Sequence, residues 1–284
     1  MVDIKKAKAE DFENIYPLLQ QLDNSRLTKH DWRQLFISHW SDKENYFGHV
    51  MMDKDKAVGF LGLLFSERVI NDRVEKICNL TSWIVKEQYK SQSVLLLFPV
   101  LRMEDYTTTV FTPSQVTYSV LKTLGYKNIS SNRRIIPPLP VSSRSNKDYS
   151  VEFENEAIRN CLSGKVLKIY HDHLRFKCIH LVIRMQGASC YIILKKRRIR
   201  GLPFAYVHFL SDLSIFSAYI HKASSKICAH LKILGLVIDE RYLRGQRLKN
   251  SFTIRSSAPL LYRSNSLKKE DIDTLYSELF ILDL

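Results

Sequence analysis

Val85-Lys86-Glu87-Gln88-Tyr89-Lys90-Ser91-Gln92-Ser93-Val94-Leu95-Leu96-Leu97 leads out of an apolar segment, crosses a polar stretch and enters a run of leucines. The pattern predicts a strand, a small polar turn and a helix. The first amides of a helix have no acceptor within it, so such a turn collects N–H groups where an anionic ligand can sit. Ser91 and Ser93 are also good capping residues, so the same pattern equally describes a helix start that binds nothing.

The flanking sequence supplies the other elements. Val2 to Lys6 reads as a short strand, and Phe12, Ile15, Leu19 and Leu22 then recur at helical spacing. A second amphipathic segment surrounds Trp32, Phe36 and Trp40. Tyr46 to Met52 and Ala57 to Val69 are apolar runs on either side of Asp53-Lys54-Asp55-Lys56, the signature of a hairpin, and Glu75 to Val85 is a further strand. Beyond the quoted stretch, Tyr106 to Phe111 is rich in Thr and Val as a strand should be. Pro113 to Leu124 then reads as a helix that Gly125-Tyr126 closes.

With 284 residues, 45% of them hydrophobic, the chain has enough apolar surface for two folded domains. Its longest apolar run, Val94 to Leu101, has only eight residues and contains Pro99, whereas a membrane span needs about 20. The start of the chain, Met1 to Glu10, is charged rather than leader-like, so a cytoplasmic protein is expected. Five cysteines without a C-x-x-C argue against a disulfide framework or a zinc knuckle.

The formal charge of +14 is uneven: residues 1–136 carry 19 Lys/Arg against 16 Asp/Glu, and residues 137–284 carry 24 against 13. Such an excess favours anionic partners. On charge alone nucleic acid fits as well as a phosphorylated small molecule. The densest basic run, Lys195-Lys196-Arg197-Arg198-Ile199-Arg200, lacks the interleaved aromatics on which single strands stack. His171-Asp172-His173 is not read as a metal site, since helical residues two apart do not face each other.

Residues 137–148, with Pro137, Pro138, Pro140 and several serines, read as a linker between domains 1–136 and 149–284. Past it, Val151 and Phe153 alternate as in a strand, and Glu154 to Leu162 and Gly164 to Phe176 read as helices. Ile179 to Met185 and Ser189 to Lys195 form a hairpin through Gln186-Gly187-Ala188. Phe204 to Leu210, a helix over 213–231, the strand Leu234 to Asp239 and an amphipathic helix from Asp271 to Leu279 complete the series. The second half thus repeats the element order of the first.

The quoted stretch resembles the acyl-CoA pyrophosphate loop of the GCN5-related N-acetyltransferases, V-x-P-E-Y-R-G-x-G-x-G/A, with Ser91, Ser93 and Leu95 where that family has glycine, glycine and glycine or alanine. Leu121-Lys122-Thr123-Leu124-Gly125-Tyr126 is similar to its L-Y-E-K-L-G-F, and the order strand, two helices, three strands, helix, strand, helix over residues 1–130 is also the family's. The resemblance implies an α+β fold with a mixed central sheet flanked by helices. With the repeated element order it implies two tandem domains: an acetyl-CoA-binding domain expected at 1–136 and a degenerate copy expected at 149–284 with an acceptor-site or structural role. Ser211-Asp212-Leu213-Ser214 stands where the second copy would carry its loop.

By resemblance, Trp83, Ile84 and Val85 line the pantetheine arm of acetyl-CoA, and Gln88, Tyr89, Lys90, Ser91, Gln92, Ser93 and Val94 hold its diphosphate, with Lys90 at the family's arginine position. A serine keeps its N–H and adds a hydroxyl, provided that its backbone angles are compatible. The family's thiolate-protonating tyrosine is replaced by Leu121; Tyr118, one turn earlier, is the substitute candidate, and a core or rim aromatic is its plainer role. Ser114 and Ser119 are hydroxyl alternatives. For the base, the strand before the loop offers Glu75, Cys78, Asn79 and Thr81, with Cys78 reading more simply as a buried thiol. His39, His49, His208 and Asp212 are further candidates.

The function expected is transfer of acetyl from acetyl-CoA to a primary amine by direct attack. The acceptor expected by analogy is a small molecule, a nucleotide-linked amino sugar of bacterial surface-glycan biosynthesis. The alternative is a non-catalytic protein of this fold that binds nucleic acid or another anionic partner.

Overall fold

The polar tetrapeptide 53–56 turns the chain as expected. β2 (Gly48–Asp53) and β3 (Lys56–Ile70) run antiparallel, and β3 returns as β4 (Arg73–Val85) through Asn71 and Asp72, both left-handed as a tight two-residue turn demands. The computed structural model describes residues 2–22, 24–41, 43–129, 132–139, 148–255 and 259–284. Among these, two units separate: residues 2–129 with 259–272 and 276–284, and residues 132–255 with 273–275.

The first unit holds a seven-stranded sheet in the order β1-β2-β3-β4-β5-β14-β6, where β1 is Asp3–Lys6, β5 Tyr106–Val110, β6 Lys127–Asn128 and β14 Leu261–Arg263. Neighbours are antiparallel except β4 and β5, which run parallel. Ten consecutive residues of β3, Ala57–Ser66, are buried, the pattern of a strand covered on both faces. α1 (Phe12–Leu19) packs on β3 and β4, burying Phe12, Ile15, Leu18 and Leu19. Full burial of such a side chain contributes about 1.5–3 kcal/mol. α2 is Lys29–Arg33, and a single 3-10 turn, Gln34–Phe36, continues it. α4 (Gln115–Thr123) starts at Ser114, whose hydroxyl accepts the Thr117 N–H, and stops where Gly125 turns left-handed (φ +86°) and Tyr126 N–H reaches back to the Leu121 carbonyl.

The second unit repeats this plan. β8 (Tyr149–Glu152), α5 (Asn155–Asn160), α6 (Gly164–His173), β9 (Ile179–Met185), β10 (Ala188–Ile199), β11 (Leu202–Leu210), α7 (Leu213–Leu231) and β12 (Leu236–Asp239) follow in turn. With β7 (Arg133–Ile136) and β13 (Phe252–Ile254) they form the sheet β13-β7-β12-β11-β10-β9-β8. Again a single neighbouring pair is parallel, β11 with β12. The basic run 195–200 continues β10 to Ile199, with Lys195 buried, and turns at Arg200-Gly201.

Three expectations need correction. The boundary expected at 137–148 assigns 133–136 to the first domain and everything after 148 to the second. Instead β7 pairs with β12 in the second sheet, and β14 inserts between β5 and β6 in the first. The two sheets exchange one short strand each; of the expected linker, residues 140–147 lie outside the described residues. The tail is not one amphipathic helix. Lys269–Asp271 is a 3-10 turn, the Asp273 carboxylate accepts the Leu275 N–H, Tyr276 is left-handed (φ +57°), and only then does α8 (Glu278–Ile281) begin. Finally, the turn of the quoted stretch does not open into an α-helix: Glu87–Leu96 is a ten-residue 3-10 helix, and α3 (Phe98–Leu101) follows it.

A chain ending at residue 136 lacks β14, which covers the free edge of β5, and Leu261, which is buried in the core. Such a fragment is expected to show no cooperative thermal transition by circular dichroism. A sharp, reversible melt would contradict the exchange.

Candidate active site

β4 and β5 stay in register from Lys76↔Tyr106 to Asn79↔Thr109 and pair no further. Beyond Asn79, β4 is held on its other edge by β3, while β5 is held by β14 through Val110. The two strands therefore part. A bulge enlarges the gap: between Gly62↔Thr81 and Phe60↔Ile84, β4 places Ser82 and Trp83 opposite Leu61 alone. Ser82 is left-handed (φ +50°), a conformation that costs a non-glycine residue about 1 kcal/mol and persists where surrounding structure enforces it. Gly62 permits the close approach, since a Cβ there would meet Thr81 Cγ2 at 2.9 Å.

A cleft of about 290 Å³ opens at this parting. β4 contributes Leu80, Thr81, Ser82 and Trp83; the end of β5 and the segment after it contribute Val110, Thr112 and Pro113. Ser114, Thr117 and Leu121 face it from the start and one side of α4, and Leu22, Asn24, Leu27 and Trp32 from the α1–α2 region. Leu61 of β3 and Leu282 and Leu284 after α8 complete the lining. The lining is apolar with hydroxyls, and none of these side chains is charged. The Trp83 indole N–H is buried without a partner.

Behind the cleft lies an acid. Glu278, the first residue of α8, is fully buried; its Oε1 accepts the Thr112 hydroxyl proton at 2.8 Å, and its Oε2 is buried without a partner. Its backbone N–H donates to Asn79 Oδ1 at 3.2 Å, and Asn79 Nδ2 donates to the Thr109 carbonyl and hydroxyl at 3.3 Å each. Asn79 thus ties the last paired position of β4 and β5 to α8. Burial pushes the Glu278 carboxyl up to about 7, against the pull of the hydrogen bonds from Thr112 and Asn79 and its own backbone. No sequence argument singled it out, although Glu278 is the one charged residue in Leu275-Tyr276-Ser277-Glu278-Leu279-Phe280-Ile281-Leu282.

The sequence-predicted residues divide. Trp83 lines the cleft; Ile84 and Val85 continue β4 beyond the bulge, half-buried and paired with Phe60 and Gly59. Gln88 and Ser91 are exposed, and Gln92, Ser93 and Val94 half-buried, along the 3-10 helix. Tyr89 donates its hydroxyl proton to Asp53 at 2.5 Å, and Lys90 pairs with Glu87 at 2.5 Å. Within a 3-10 helix each N–H turns onto the carbonyl three residues back, so the first turn around Glu87 and Gln88, rather than Ser91 and Ser93, presents amides outward.

Asn79 is a bracket at the parting of the strands. Cys78 is fully buried in the core, and burial pushes its thiol up, away from a reactive thiolate. Tyr118 packs half-buried against the core cluster, and the cleft takes Ser114, Thr117 and Leu121 from its surroundings instead. Ser114 is the α4 cap, Ser119 donates to the Gln115 carbonyl, and Glu75 accepts the Ser266 hydroxyl. His39 bonds the Gln34 carbonyl; burial holds His49 down to about 4. In the second unit, His208 is half-buried, hydrogen-bonds Thr274 and is held down to about 3 by desolvation, and Asp212 caps α7 by accepting the Ile215 N–H.

No family model matches the sequence, and no curated protein matches it. Solved structures do match the fold. A GCN5-related N-acetyltransferase from Anabaena variabilis is 14% identical and covers 93% of this chain and 72% of its own, with a TM-score of 0.60. A conserved Enterococcus faecalis protein of unknown function is 10% identical, covers 95% and 74%, and gives a TM-score of 0.63. A GCN5-related N-acetyltransferase from Kribbella flavida is 11% identical, covers 93% and 71%, and gives 0.59. The chain has the fold of the GCN5-related N-acetyltransferases, an α+β architecture present twice. No described helix is long and apolar enough to cross a membrane.

A carboxyl whose folded pKa lies above its unfolded value of about 4.5 adds no stability at low pH and costs stability as pH rises from there to about 7. For Glu278 the loss is on the order of 3 kcal/mol. Denaturant unfolding of wild type is expected to weaken across that window, and Glu278→Gln to remove this component. Identical pH profiles for the two proteins would show that Glu278 does not titrate there.

Proposed function

We propose that the protein is an acyl-CoA-dependent N-acyltransferase in which an amine attacks the thioester directly within the cleft between β4 and β5. The observation that carries this reading is the parting of these strands into a lined cleft. An open strand edge offers backbone N–H and C=O groups to the amides of an extended arm, and the apolar, hydroxyl-bearing lining suits a thioester. Acetyl-CoA fits this site as cosubstrate. Trp83, Ile84 and Val85 would flank its pantetheine arm, and the first turn of the 3-10 helix at Glu87 and Gln88 would meet its diphosphate. The chain's own contribution is to orient the thioester beside the amine, to exclude water with Leu22, Leu27, Leu80 and Leu282, and to take up the amine proton.

Two acceptor classes follow from different observations. The basic balance of residues 137–284 supports a nucleotide-linked amino sugar, handled in the cytoplasm. The lining without a charged side chain favours an amine whose reacting end is neutral and partly apolar, and it offers no cation to a diphosphate within the cleft. A thiol-release assay with acetyl-CoA and a panel spanning both classes separates them. Turnover is expected with at least one amine, and Thr117→Phe, which fills the cleft from α4, is expected to lower kcat/KM at least about 10²-fold without lowering the melting temperature. Acetyl-CoA binding without turnover on any amine would instead favour a binding protein, and full activity in Thr117→Phe would move the site elsewhere.

A further inference from the structure

One polar side chain of the cleft wall reaches a carboxyl in the interior. Thr112 is exposed and lines it, and the Thr112 hydroxyl proton is directed at Glu278 Oε1, 2.8 Å away in the protein interior. Its oxygen lone pairs remain to accept a proton from the cleft side. Glu278 is locked by its own N–H on Asn79, and Asn79 by the Thr109 carbonyl and hydroxyl. The bulky Tyr276, two residues before, is left-handed and braced by the Trp40 ring at 5.2 Å and the Arg68 guanidinium at 4.9 Å. A left-handed tyrosine is strained, and strain of this kind persists where it positions something.

We propose that Thr112 and Glu278 form a proton relay, in which Thr112 touches the attacking amine and Glu278 receives the proton through it. This inference rests on the acyl-transfer function proposed above. As the amine nitrogen forms its bond to the thioester carbonyl carbon, its N–H proton passes to Thr112 Oγ1, and the proton already on Oγ1 passes to Glu278 Oε1. The C–S bond breaks with its electron pair on sulfur, and the thiolate takes a proton from solvent. The carboxylate becomes a carboxylic acid, which then returns its proton through Thr112 to water in the vacated cleft, balancing the proton that the thiolate took from solvent. The amine becomes an amide and no external oxidant or base is consumed.

Glu278 suits this task because burial without a charged neighbour keeps it near neutrality. The influences on it are its burial, Thr112, Asn79 and its own backbone, and the 3-10 turn packed against α8 brings Gln34, Leu35 and Phe36, none ionisable. A base poised near working pH combines availability with driving force.

The test uses the full chain with an amine that the wild type acylates. Thr112→Val and Glu278→Gln are each expected to lower kcat/KM about 10²-fold, with acetyl-CoA affinity unchanged. The double variant is expected to be no slower than either single one, because the two act in series. Thr112→Ser, which keeps the hydroxyl, should stay within about tenfold of wild type. The wild-type rate should also show an acid limb near pH 7 that does not move between amines of different basicity and that Glu278→Gln abolishes. Thr112 is exposed, so its variants report even where Glu278→Gln alters folding. Wild-type rates in Thr112→Val, or an unchanged acid limb in Glu278→Gln, would overturn the relay while leaving acyl transfer intact. A wild type inactive on every amine would overturn acyl transfer itself, and the relay with it.

Discussion

The first unit depends on where β4 and β5 stop pairing. Their pairing ends at Asn79↔Thr109, and β5 itself ends one residue later at Val110, while β4 runs six residues further, to Val85. Beyond that point β4 stays bonded to β3 across a bulge that contains a left-handed Ser82, and β5 stays bonded to β14, while Asn79 ties the last paired position to the first residue of α8. The cleft, its lining and the buried acid behind it all follow from that separation.

Elements with strong local signals were legible. The hairpin at 53–56, the α4 cap and its Gly125 stop, the β9–β10 turn at Gly187 and α7 over 213–231 follow from turn chemistry and periodicity, which act over a few residues. The exchanged strands were not. Arg133–Ile136 and Leu261–Arg263 are four and three residues long, and nothing in so short a segment says which sheet it joins; only tertiary pairing decides. The tail misled for a related reason. Its apolar spacing is helical, but Asp273 and the left-handed Tyr276 break the helix, and periodicity does not register such competition.

Of the candidate site, the sequence singles out residues along β4 but not the carboxyl behind them. On the strand before the quoted loop, Trp83 lies on the cleft and Asn79 stands at the parting. Tyr118 was chosen because it lies one turn from Leu121, whereas Ser114 and Thr117, three apart, and Leu121 share the cleft. Cys78 was a reactive-residue type in a core position. Glu278 carried a readable signal, one carboxylate in an apolar run, but its meaning depends on a chain return of almost 200 residues that no local pattern encodes. The second unit repeats the parallel pair, β11 with β12. There Asp212 caps α7.

The account stands on the parting of β4 and β5 being the place where an acyl-CoA lies. Hydrogen–deuterium exchange of the full chain, with and without saturating acetyl-CoA, reads this directly, because amides on an open strand edge exchange until a ligand bonds them. Protection concentrated at Thr81–Val85, at 110–112 and at Glu87–Gln88 is the predicted result. Unchanged exchange in those segments with clear protection elsewhere would contradict it.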